Sequence, residues 1–458
     1  MSAHPPVRLG RFATAVAQAR DAGELLVQPR MGFPTLTGMG SGLRAVARAR
    51  ARTVGTITLD SYTRVGDHDS ARRALAAGAD LNGFPIVAHG AGATRAMIAG
   101  AWAGSLPIQV RHGTPLPLGV VRALVDAGLD ATEGGPVSYC LPYSRTPLGE
   151  AVRAWAEACE LLAHRVSGAH MESFGGCMLG QLCPPSLLVA LSVLEGLFFR
   201  QHGLRSISLS YAQQTDDTQD MYAVRALRRL AAQHLADTDW HVVLYTYMGV
   251  FPRTAHGALE LLRRSARLAA HTGTERLIVK TPAEAHRIPT IEDNVEALEE
   301  AWAAARAVPR AAAPAADDQE GEPELGLAVH HEASALINAV LELHPDIGRA
   351  LTEAFRRGIL DVPYCLHADN AQRARSYIDT HGRLRWLAVG HMPLTVPRPA
   401  GTPRLRAQDL LGMLSHVQGA FDRQALTAQR LRARHLSAPD PARPAAATAT
   451  TSPISADP

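Results

Sequence analysis

Lysine is almost absent from this sequence of 458 residues. All but one of its 46 basic residues are arginines, and the exception is Lys280. This usage is typical of a coding bias that replaces lysine by arginine wherever either residue will serve. The arginine guanidinium is a wide planar fork, whereas the lysine ammonium is compact and stands on a slim stem. The remaining lysine therefore indicates a position that the fork does not fit, with chance as the alternative explanation.

Cysteine is also scarce, and the sequence lacks a long hydrophobic run and an export signal. The five cysteines are odd in number and form no CxxC pair, which favours reduced thiols over a disulfide framework or a structural zinc site. The longest apolar stretch, residues 187–199, is too short to span a membrane and contains Glu195, so it predicts a buried helix. The net charge is only +3 and the basic residues are scattered, so no nucleic-acid footprint is indicated. We therefore expect a cytoplasmic protein that binds neither a membrane nor nucleic acid.

Signatures of several enzyme classes are missing too. The sequence contains no HExxH motif of zinc peptidases, no Walker loop, and no GxGxxG that opens a helix after a strand. The cluster Asp67-His68-Asp69 predicts a solvated turn rather than a metal site. We predict no metal ion held by the protein itself.

Short, nearly continuous apolar runs recur along the chain, separated by stretches with helical spacing such as 221–235 and 255–270. Continuous apolar character is typical of parallel strands that are buried on both faces. The alternation predicts an α/β fold, and its length favours a (β/α)8 barrel of TIM type over residues 1–308 rather than an open sheet. The candidate strands number nine, one more than a barrel needs: 24–28, 53–59, 83–88, 107–110, 129–132, 168–172, 206–210, 241–247 and 276–279.

The remainder of the chain divides by composition. Thr290 and Asp293 form a helix-starting pair, which predicts a helix to about Arg306. Residues 309–323 are rich in proline, alanine and acidic residues and predict a linker. We expect a smaller α+β region at 324–436 and, because of its alanine, proline, threonine and serine content, a disordered tail at 437–458.

Polar residues follow several of the predicted strands, at the end where a barrel builds its active site. Arg30, Arg64 and Arg111 follow three different strands and should converge on one pocket. Inward guanidiniums repel one another unless an anion lies among them, and each can hold a carboxylate through two parallel hydrogen bonds. A dicarboxylate substrate is the natural occupant, although a surface position or an internal salt bridge would explain any one arginine alone.

Further candidate residues lie near the ends of later strands. Glu133 precedes a Gly-Gly turn that leads to Tyr139 and Tyr143. A carboxylate beside arginines should stay ionised and could bind an ammonium group, although such a turn with nearby tyrosines is more often packing alone. Lys280 ends the last strong strand, where it could form a Schiff base or donate hydrogen bonds to a cofactor.

At these segments the sequence resembles the epsilon (E) subunit family of glutamate mutase, also called methylaspartate mutase. The matching motifs occur in the family's order over about residues 25–300, and together they are highly specific. They are Gln28-Pro29-Arg30, Asp60-Ser61-Tyr62-Thr63-Arg64, Leu81-Asn82-Gly83-Phe84-Pro85, Arg111-His112-Gly113-Thr114, Glu133-Gly134-Gly135, Pro142-Tyr143 and Val279-Lys280-Thr281-Pro282. The resemblance implies a (β/α)8 barrel whose mouth is capped by adenosylcobalamin.

The resemblance also implies a role for each matching residue. The substrate would be held by Arg30, Arg64, Arg111, His112, Glu133, Tyr139 and Tyr143. Among these, Glu133 would be the catalytic residue that holds the substrate ammonium. The cofactor would be contacted by Gly32, Asn82, Pro142, Phe251, Lys280, Glu284 and Ile288.

The implied reaction interconverts L-glutamate and L-threo-3-methylaspartate by a radical mechanism, for which the cofactor supplies the reactive group. Cobalamin-binding partner domains carry a DxHxxG motif whose histidine ligates cobalt, and this sequence contains none. A small sigma (S) subunit is therefore implied as a partner. The family pattern implies a homodimer of large subunits within an E2S2 assembly.

Three other functions stay open. The first is the same radical chemistry on a different amino or keto diacid in specialised metabolism. The second is a Schiff-base barrel aldolase that uses Lys280, which would work without cobalamin. The third is a non-catalytic scaffold that only binds the small subunit, although intact pocket residues disfavour it.

Overall fold

The computed structural model describes residues 7–101, 106–174, 182–311, 324–395 and 405–437. Eight of its strands are parallel and belong to one sheet. They are β1 (Leu26–Pro29), β2 (Gly55–Thr58), β3 (Ile108–Arg111), β4 (Ala131–Gly134), β5 (His170–Ser173), β6 (Ser206–Ala212), β7 (Asp239–Tyr245) and β8 (Arg276–Val279). The order in the sheet is β1, β8, β7, β6, β5, β4, β3, β2. A parallel bridge between Val27 and Thr53 joins the two end strands and closes the barrel.

Twelve described helices accompany the barrel strands. They are α1 (Arg11–Asp21), α2 (Leu36–Arg48), α3 (Ser61–Arg64), α4 (His68–Ala76), α5 (Ile86–His89), α6 (Ala91–Ala101), α7 (Leu118–Asp126), α8 (Leu148–Arg165), α9 (Pro185–Gln201), α10 (Asp217–His234), α11 (Ala255–His271) and α12 (Ile291–Arg306). A short 3-10 helix, Pro282–Ala285, follows β8. The predicted TIM-type barrel is confirmed, as are the helices expected near 187–199, 221–235, 255–270 and 291–306.

One predicted strand, 83–88, is wrong. Only Phe84 pairs with a barrel segment, through a single bridge to Leu59. The chain turns into α5 directly after Pro85, which has no N–H to donate to a strand ladder. The turn expected at Asp67-His68-Asp69 is wrong as well, since α4 begins at His68 and the Asp67 carboxylate caps it. Eight strands remain, as the barrel requires.

The barrel is closed at its N-terminal end by α1. Phe12 is fully buried there and stacks on the ring of His170, with the ring centres 4.9 Å apart. The backbone N–H of Phe12 donates to the Asp130 carboxylate at 3.0 Å, and Gly10 donates to the carbonyl of Gly168 at 3.0 Å. These contacts fix α1 as a floor, so the barrel interior is open at the opposite end.

The middle of the barrel is filled by polar side chains instead of the usual branched apolar ones. Arg276 and Glu172 form a fully buried ion pair on the axis. Gln28 accepts a hydrogen bond from Arg276 at 2.5 Å, and Gln109 donates to Glu172 at 3.0 Å. The hydroxyl of Ser208 donates to Glu172 at 3.2 Å. This layer separates the floor from the cavity above it.

The C-terminal region contains both helices and a small antiparallel sheet. Its elements are α13 (Glu324–Leu341), α14 (Ile347–Arg357), β9 (Arg375–Ile378), β10 (Leu384–Ala388), α15 (Ala407–Leu414) and α16 (His416–Ser437). Leu336, Ile337 and Phe355 belong to the same continuous apolar core as the barrel helices. The expected α+β character is confirmed, while the division of the chain into two domains stays a prediction. The linker predicted at 309–323 lies outside the described residues from 312 onward, and the tail predicted at 437–458 does so from 438 onward.

None of the helices in the described residues is long and apolar enough to cross a lipid bilayer.

The shared core gives a prediction for Leu336, which is fully buried where α13 packs against α9 and α10. We expect Leu336→Ala to lower the free energy of unfolding by about 2–5 kcal/mol, because it deletes buried methyl groups and leaves a cavity. Chemical denaturation followed by circular dichroism measures the loss. The control is Asn338→Ala on the exposed side of the same helix, which should change it by less than about 0.5 kcal/mol. Equal stability of the two variants would show that α13 is not part of the barrel core.

Candidate functional site

A cavity of about 1120 Å³ opens at the C-terminal end of the barrel strands. Most of the residues that sequence analysis selected line it. The substrate candidates among them are Arg30, Arg64, Arg111, His112, Glu133, Tyr139 and Tyr143. The cofactor candidates among them are Gly32, Asn82, Glu284 and Ile288. The barrel has therefore brought together side chains from the ends of β1, β3, β4 and β8 and from the segment after β2.

Glu133 and Arg111 form a buried ion pair at the base of this cavity. The Nη2 atom of Arg111 lies 2.9 Å from Oε2 of Glu133. The hydroxyl of Tyr139 donates to the other carboxylate oxygen, and the hydroxyl of Tyr245 lies 2.9 Å from Oε2. The second terminal nitrogen of Arg111, Nη1, is buried and has no hydrogen-bond partner in the part of the chain that the structure describes. This nitrogen is available to an anion in the cavity.

The charges of the pair are set by burial and by each other. Burial raises the pKa of Glu133 above its usual range, against the opposing effect of the Arg111 guanidinium. Burial alone would lower the pKa of Arg111, but Glu133 acts together with Tyr245, Tyr139 and Glu172, and the pKa of Arg111 is raised. Whether Glu133 stays ionised, as expected from its arginine neighbours, is a prediction that rests on this balance.

Arg64 lies beside the pair but has no carboxylate of its own. Its Nε donates to the carbonyl of Leu59 at 3.0 Å, and no described acidic side chain lies within ion-pair distance. Burial lowers the pKa of Arg64, and the neighbouring Arg30 guanidinium lowers it further. Arg30 itself pairs with Glu284, whose Oε2 lies 2.7 Å from Nη1 of Arg30. The three arginines and two carboxylates thus leave one positive charge in excess.

His112 is a neutral hydrogen-bonding group in this site. Burial, together with the Arg64 guanidinium, lowers the pKa of His112 to about 3. Its Nδ1 accepts the backbone N–H of Thr114 at 3.2 Å, so the ring proton belongs on Nε2. The Nε2 atom is buried, and no described residue forms a hydrogen bond with it. The ring stacks on Trp155 with centres 5.6 Å apart, which fixes its orientation.

The turn after β4 carries Tyr139 and Tyr143 to the cavity. Gly134 begins it with φ +133°, a backbone conformation that favours glycine. A Cβ atom at this position would lie 2.3 Å from the ring of Trp155, so the close approach also requires glycine. Tyr139 is buried and packs against Phe174 with ring centres 4.8 Å apart, whereas Tyr143 is exposed at the rim.

Three cofactor candidates do not line the cavity. Lys280 and Phe251 are both buried, with the Lys280 ammonium 4.3 Å from the centre of the Phe251 ring. Pro142 is half-buried beside Tyr143. The crowded position of Lys280 agrees with the expectation that a guanidinium fork would not fit there. The roles of these residues stay predictions.

Sequence reasoning missed Tyr245, Glu172 and Arg276, which support Glu133 from below. Tyr245 contacts both Glu133 and Glu172, and the Arg111 guanidinium lies over its ring at 5.0 Å. Burial alone would raise the pKa of Glu172, but the Arg276 and Arg111 guanidiniums hold it below its usual range. A signal was present: charged residues inside buried strands need partners, and Glu172 and Arg276 lie in two such strands.

The low pKa of His112 gives a pH prediction. The folded protein holds this imidazole neutral down to about pH 3, whereas a histidine in the unfolded chain is protonated near pH 6.5. Its contribution to stability is therefore present above pH 6.5 and is lost as the pH falls toward 3. We expect His112→Asn to flatten the loss of unfolding free energy between pH 6.5 and 4, measured by urea denaturation, by about 1.4 kcal/mol per pH unit. His331→Asn, at an exposed position, should leave the slope as it is; equal slopes for wild type and His112→Asn would contradict the prediction.

Proteins of one family resemble this chain over most of its length. The family model of the Methylaspartate mutase E chain (MutE) matches residues 7–398. The glutamate mutase epsilon subunit of Escherichia coli O157:H7 is 31% identical over 399 residues, which are 84% of this chain and 81% of that protein. The epsilon subunit of Halobacterium salinarum is 32% identical over 402 residues, with 84% and 81% covered. That of Desulfitobacterium hafniense is 29% identical over 403 residues, with 85% and 82% covered. The chain belongs to the methylaspartate mutase E chain family.

Proposed function

We propose that this chain is the large catalytic subunit of an adenosylcobalamin-dependent mutase that interconverts L-glutamate and L-threo-3-methylaspartate. The observation that carries the proposal is the charge balance at the base of the cavity. With both carboxylates ionised, Arg30, Arg64 and Arg111 exceed Glu133 and Glu284 by one positive charge. L-Glutamate carries two carboxylates and one ammonium, so its net charge of −1 compensates this excess.

The arrangement of the charges also matches an amino acid. Arg111 and Glu133 lie side by side, as the carboxylate and ammonium on one α-carbon of the substrate require. The Nη1 atom of Arg111 and the Nε2–H group of His112 are buried donors without partners among the described residues, and a substrate carboxylate would satisfy them. A keto diacid has no ammonium for Glu133 to bind. The geometry therefore favours an amino diacid.

The cavity is large and has exposed apolar side chains among its lining residues. They are Val65, Leu116, Tyr143 and Ile288, and exposed apolar side chains beside a cavity favour a surface that another molecule covers. Gly32, Asn82, Glu284 and Ile288 would hold the cofactor at this mouth. When bound, adenosylcobalamin supplies a radical by homolysis of its cobalt–carbon bond. Since the chain has no DxHxxG motif, a small S subunit would ligate the cobalt, within the proposed E2S2 assembly.

The chain's own residues would then hold and shield the substrate. Arg64 and Arg111 would bind carboxylates through paired hydrogen bonds, and Glu133 would orient the ammonium. The rings of Tyr139 and Phe174 wall the cavity beside them and keep water away from reacting carbons. Positioning of this kind accounts for a large part of the rate that an enzyme adds to a reactive cofactor.

The Schiff-base alternative has less support from the geometry. The Lys280 ammonium lies over the Phe251 ring and is not among the described residues that line the cavity. An aldolase needs its lysine amine exposed to the substrate carbonyl. Borohydride trapping of a substrate on Lys280 would reverse this assignment.

The first test is the conversion itself. The purified chain is combined with a cobalamin-binding small subunit of a related mutase, adenosylcobalamin and L-glutamate, and 3-methylaspartate is followed by mass spectrometry. We expect product only when cofactor and partner are present. We expect Arg64→Ala to lower kcat/KM by roughly 10–100-fold or more, because a charge-assisted hydrogen bond is lost.

The matched control is Arg72→Ala, an exposed arginine on α4 that pairs with Asp69. Its activity should equal that of the wild type. Product from another diacid, with none from L-glutamate, would keep the chemistry and change the substrate. Absence of product from any diacid, with the small subunit shown to be bound, would refute the catalytic assignment.

A second prediction concerns Tyr245, whose hydroxyl lies between Glu133 and Glu172. Tyr245→Phe keeps the ring under Arg111 but removes the hydroxyl, so we expect kcat/KM for L-glutamate to fall by roughly 10–100-fold. Steady-state kinetics with the same assay measure the change. Tyr211→Phe is the control, because the Tyr211 hydroxyl also donates to a buried carboxylate, Asp220 at 2.7 Å, which unlike Glu133 does not line the cavity. Equal effects of the two substitutions would indicate loss of fold rather than loss of the site.

A further inference from the structure

Glu195 is a charged residue in the middle of an otherwise apolar helix, α9, and it is fully buried. Its Oε1 atom accepts the backbone N–H groups of Val137 at 3.1 Å and Ser138 at 2.9 Å. A buried carboxylate is costly unless hydrogen bonds compensate it, so its presence here requires a reason. The two N–H groups open the turn that carries Tyr139 and Tyr143 to the cavity. Glu195 thus connects a core helix to a loop of the site.

The Glu195 carboxylate restricts which residue can stand at position 135 of the turn. A Cβ atom on Gly135 would lie 2.1 Å from Oε1 of Glu195, so residue 135 has to be glycine for the carboxylate to reach the turn. Gly134, the preceding residue, gives room to Trp155 instead. The Gly-Gly pair that sequence analysis took for a simple turn therefore has two separate steric causes.

The helix that carries Glu195 is itself anchored to the barrel. Ser192, one turn earlier on α9, forms a hydrogen bond with Ser173 at 2.6 Å and accepts the backbone N–H of Ser210 at 3.0 Å. Ser173 lies on β5 and Ser210 on β6. The position of Glu195 relative to the sheet is therefore fixed, and through it the position of the turn.

The turn determines where two candidate substrate ligands lie. The Tyr139 hydroxyl donates to Glu133, and its ring is 5.1 Å from that of His112. The rings of Tyr139 and Tyr143 are 6.0 Å apart. A shift of the backbone at 137–138 would move Tyr139 away from Glu133.

We propose that Glu195 is a positioning residue, whose carboxylate holds the 135–143 loop so that Tyr139 donates to Glu133 and Tyr143 lines the cavity. The proposal rests on the proposed function for the role of the two tyrosines. Glu195 does not touch the cavity and acts only through the backbone of the loop.

The contact between the Glu195 carboxylate and the 135–143 loop is sensitive to pH in the neutral range. Burial raises the pKa of Glu195 to about 7, against the N–H groups around it, which lower it. Cys159 on α8 is a titratable group in its surroundings, and burial raises the pKa of that thiol as well. Protonation weakens a carboxylate as an acceptor, so the loop is held more firmly above pH 7 than below it. We expect kcat/KM to fall as the pH drops through 7, and Glu195→Gln to remove this inflection.

Hydrogen–deuterium exchange of the full chain tests the contact between Glu195 and the loop without any activity assay. In Glu195→Leu the amides of Val137 and Ser138 lose their acceptor and should exchange at least tenfold faster than in the wild type. Glu195→Gln keeps an oxygen acceptor and should lie between the two. Tyr211→Phe, which also removes a buried hydrogen bond to a carboxylate but leaves the anchoring of α9 intact, should leave these two amides unchanged. Unchanged exchange in Glu195→Leu overturns the proposal.

Kinetics with the small subunit and adenosylcobalamin test the consequence. We expect KM for L-glutamate to rise at least tenfold in Glu195→Leu and less in Glu195→Gln, while Tyr211→Phe keeps the wild-type KM. Faster exchange with an unchanged KM overturns the positioning role. An inactive wild type refutes the proposed function, and the exchange experiment still decides whether Glu195 holds the loop. If Glu195→Leu does not fold, Gly135→Ala, which places a methyl group against the same carboxylate, provides the same two readouts.

Discussion

The buried ion pair between Arg276 and Glu172 is the interaction on which the rest of the site depends. Two charges on the axis of a barrel are costly to desolvate, and this cost is offset only by close geometry and further hydrogen bonds. Gln28, Gln109 and Ser208 provide those bonds from three other strands. Glu172 in turn contacts Tyr245, which supports Glu133 and, through it, Arg111. The pair at the centre of the barrel thus determines the orientation of charges at the base of the cavity.

Above this layer the site is electrostatically incomplete. Arg111 and Arg30 have carboxylate partners, whereas Arg64 has only a backbone carbonyl within the described residues. Burial without a counter-ion disfavours a guanidinium, so the protein stores an electrostatic cost that an anionic ligand relieves on binding. The buried donors of Arg111 and His112 that lack partners add to the same preference. The proposed substrate, with two carboxylates and one ammonium, would meet this preference.

The barrel and the convergence of its arginines could be predicted from the sequence, because buried parallel strands and polar strand ends leave clear local patterns. The spurious strand at 83–88 shows the limit of such patterns: an apolar run before and after Pro85 is buried against the barrel without joining it. The charge of Glu172 inside a buried strand indicated that it has a partner, but neither that partner nor Tyr245 could be assigned, since the contacts depend on strands far apart in the chain meeting at one point. The buried Glu195 was visible inside an apolar run, but its target, two backbone N–H groups, carries no side-chain signature.

The floor formed by α1, which carries Phe12, has a consequence for how substrate enters the barrel and how product leaves it. With α1 sealing one end of the barrel and the polar layer filling its middle, the described part of the chain offers substrate no passage along the axis. Substrate and product would then both pass through the mouth of the cavity, which the proposed cofactor-bearing subunit would cover. Each turnover would then require the partner subunit to move away from the opening. The rate of that movement, rather than the chemical step alone, would limit how fast product is exchanged for substrate.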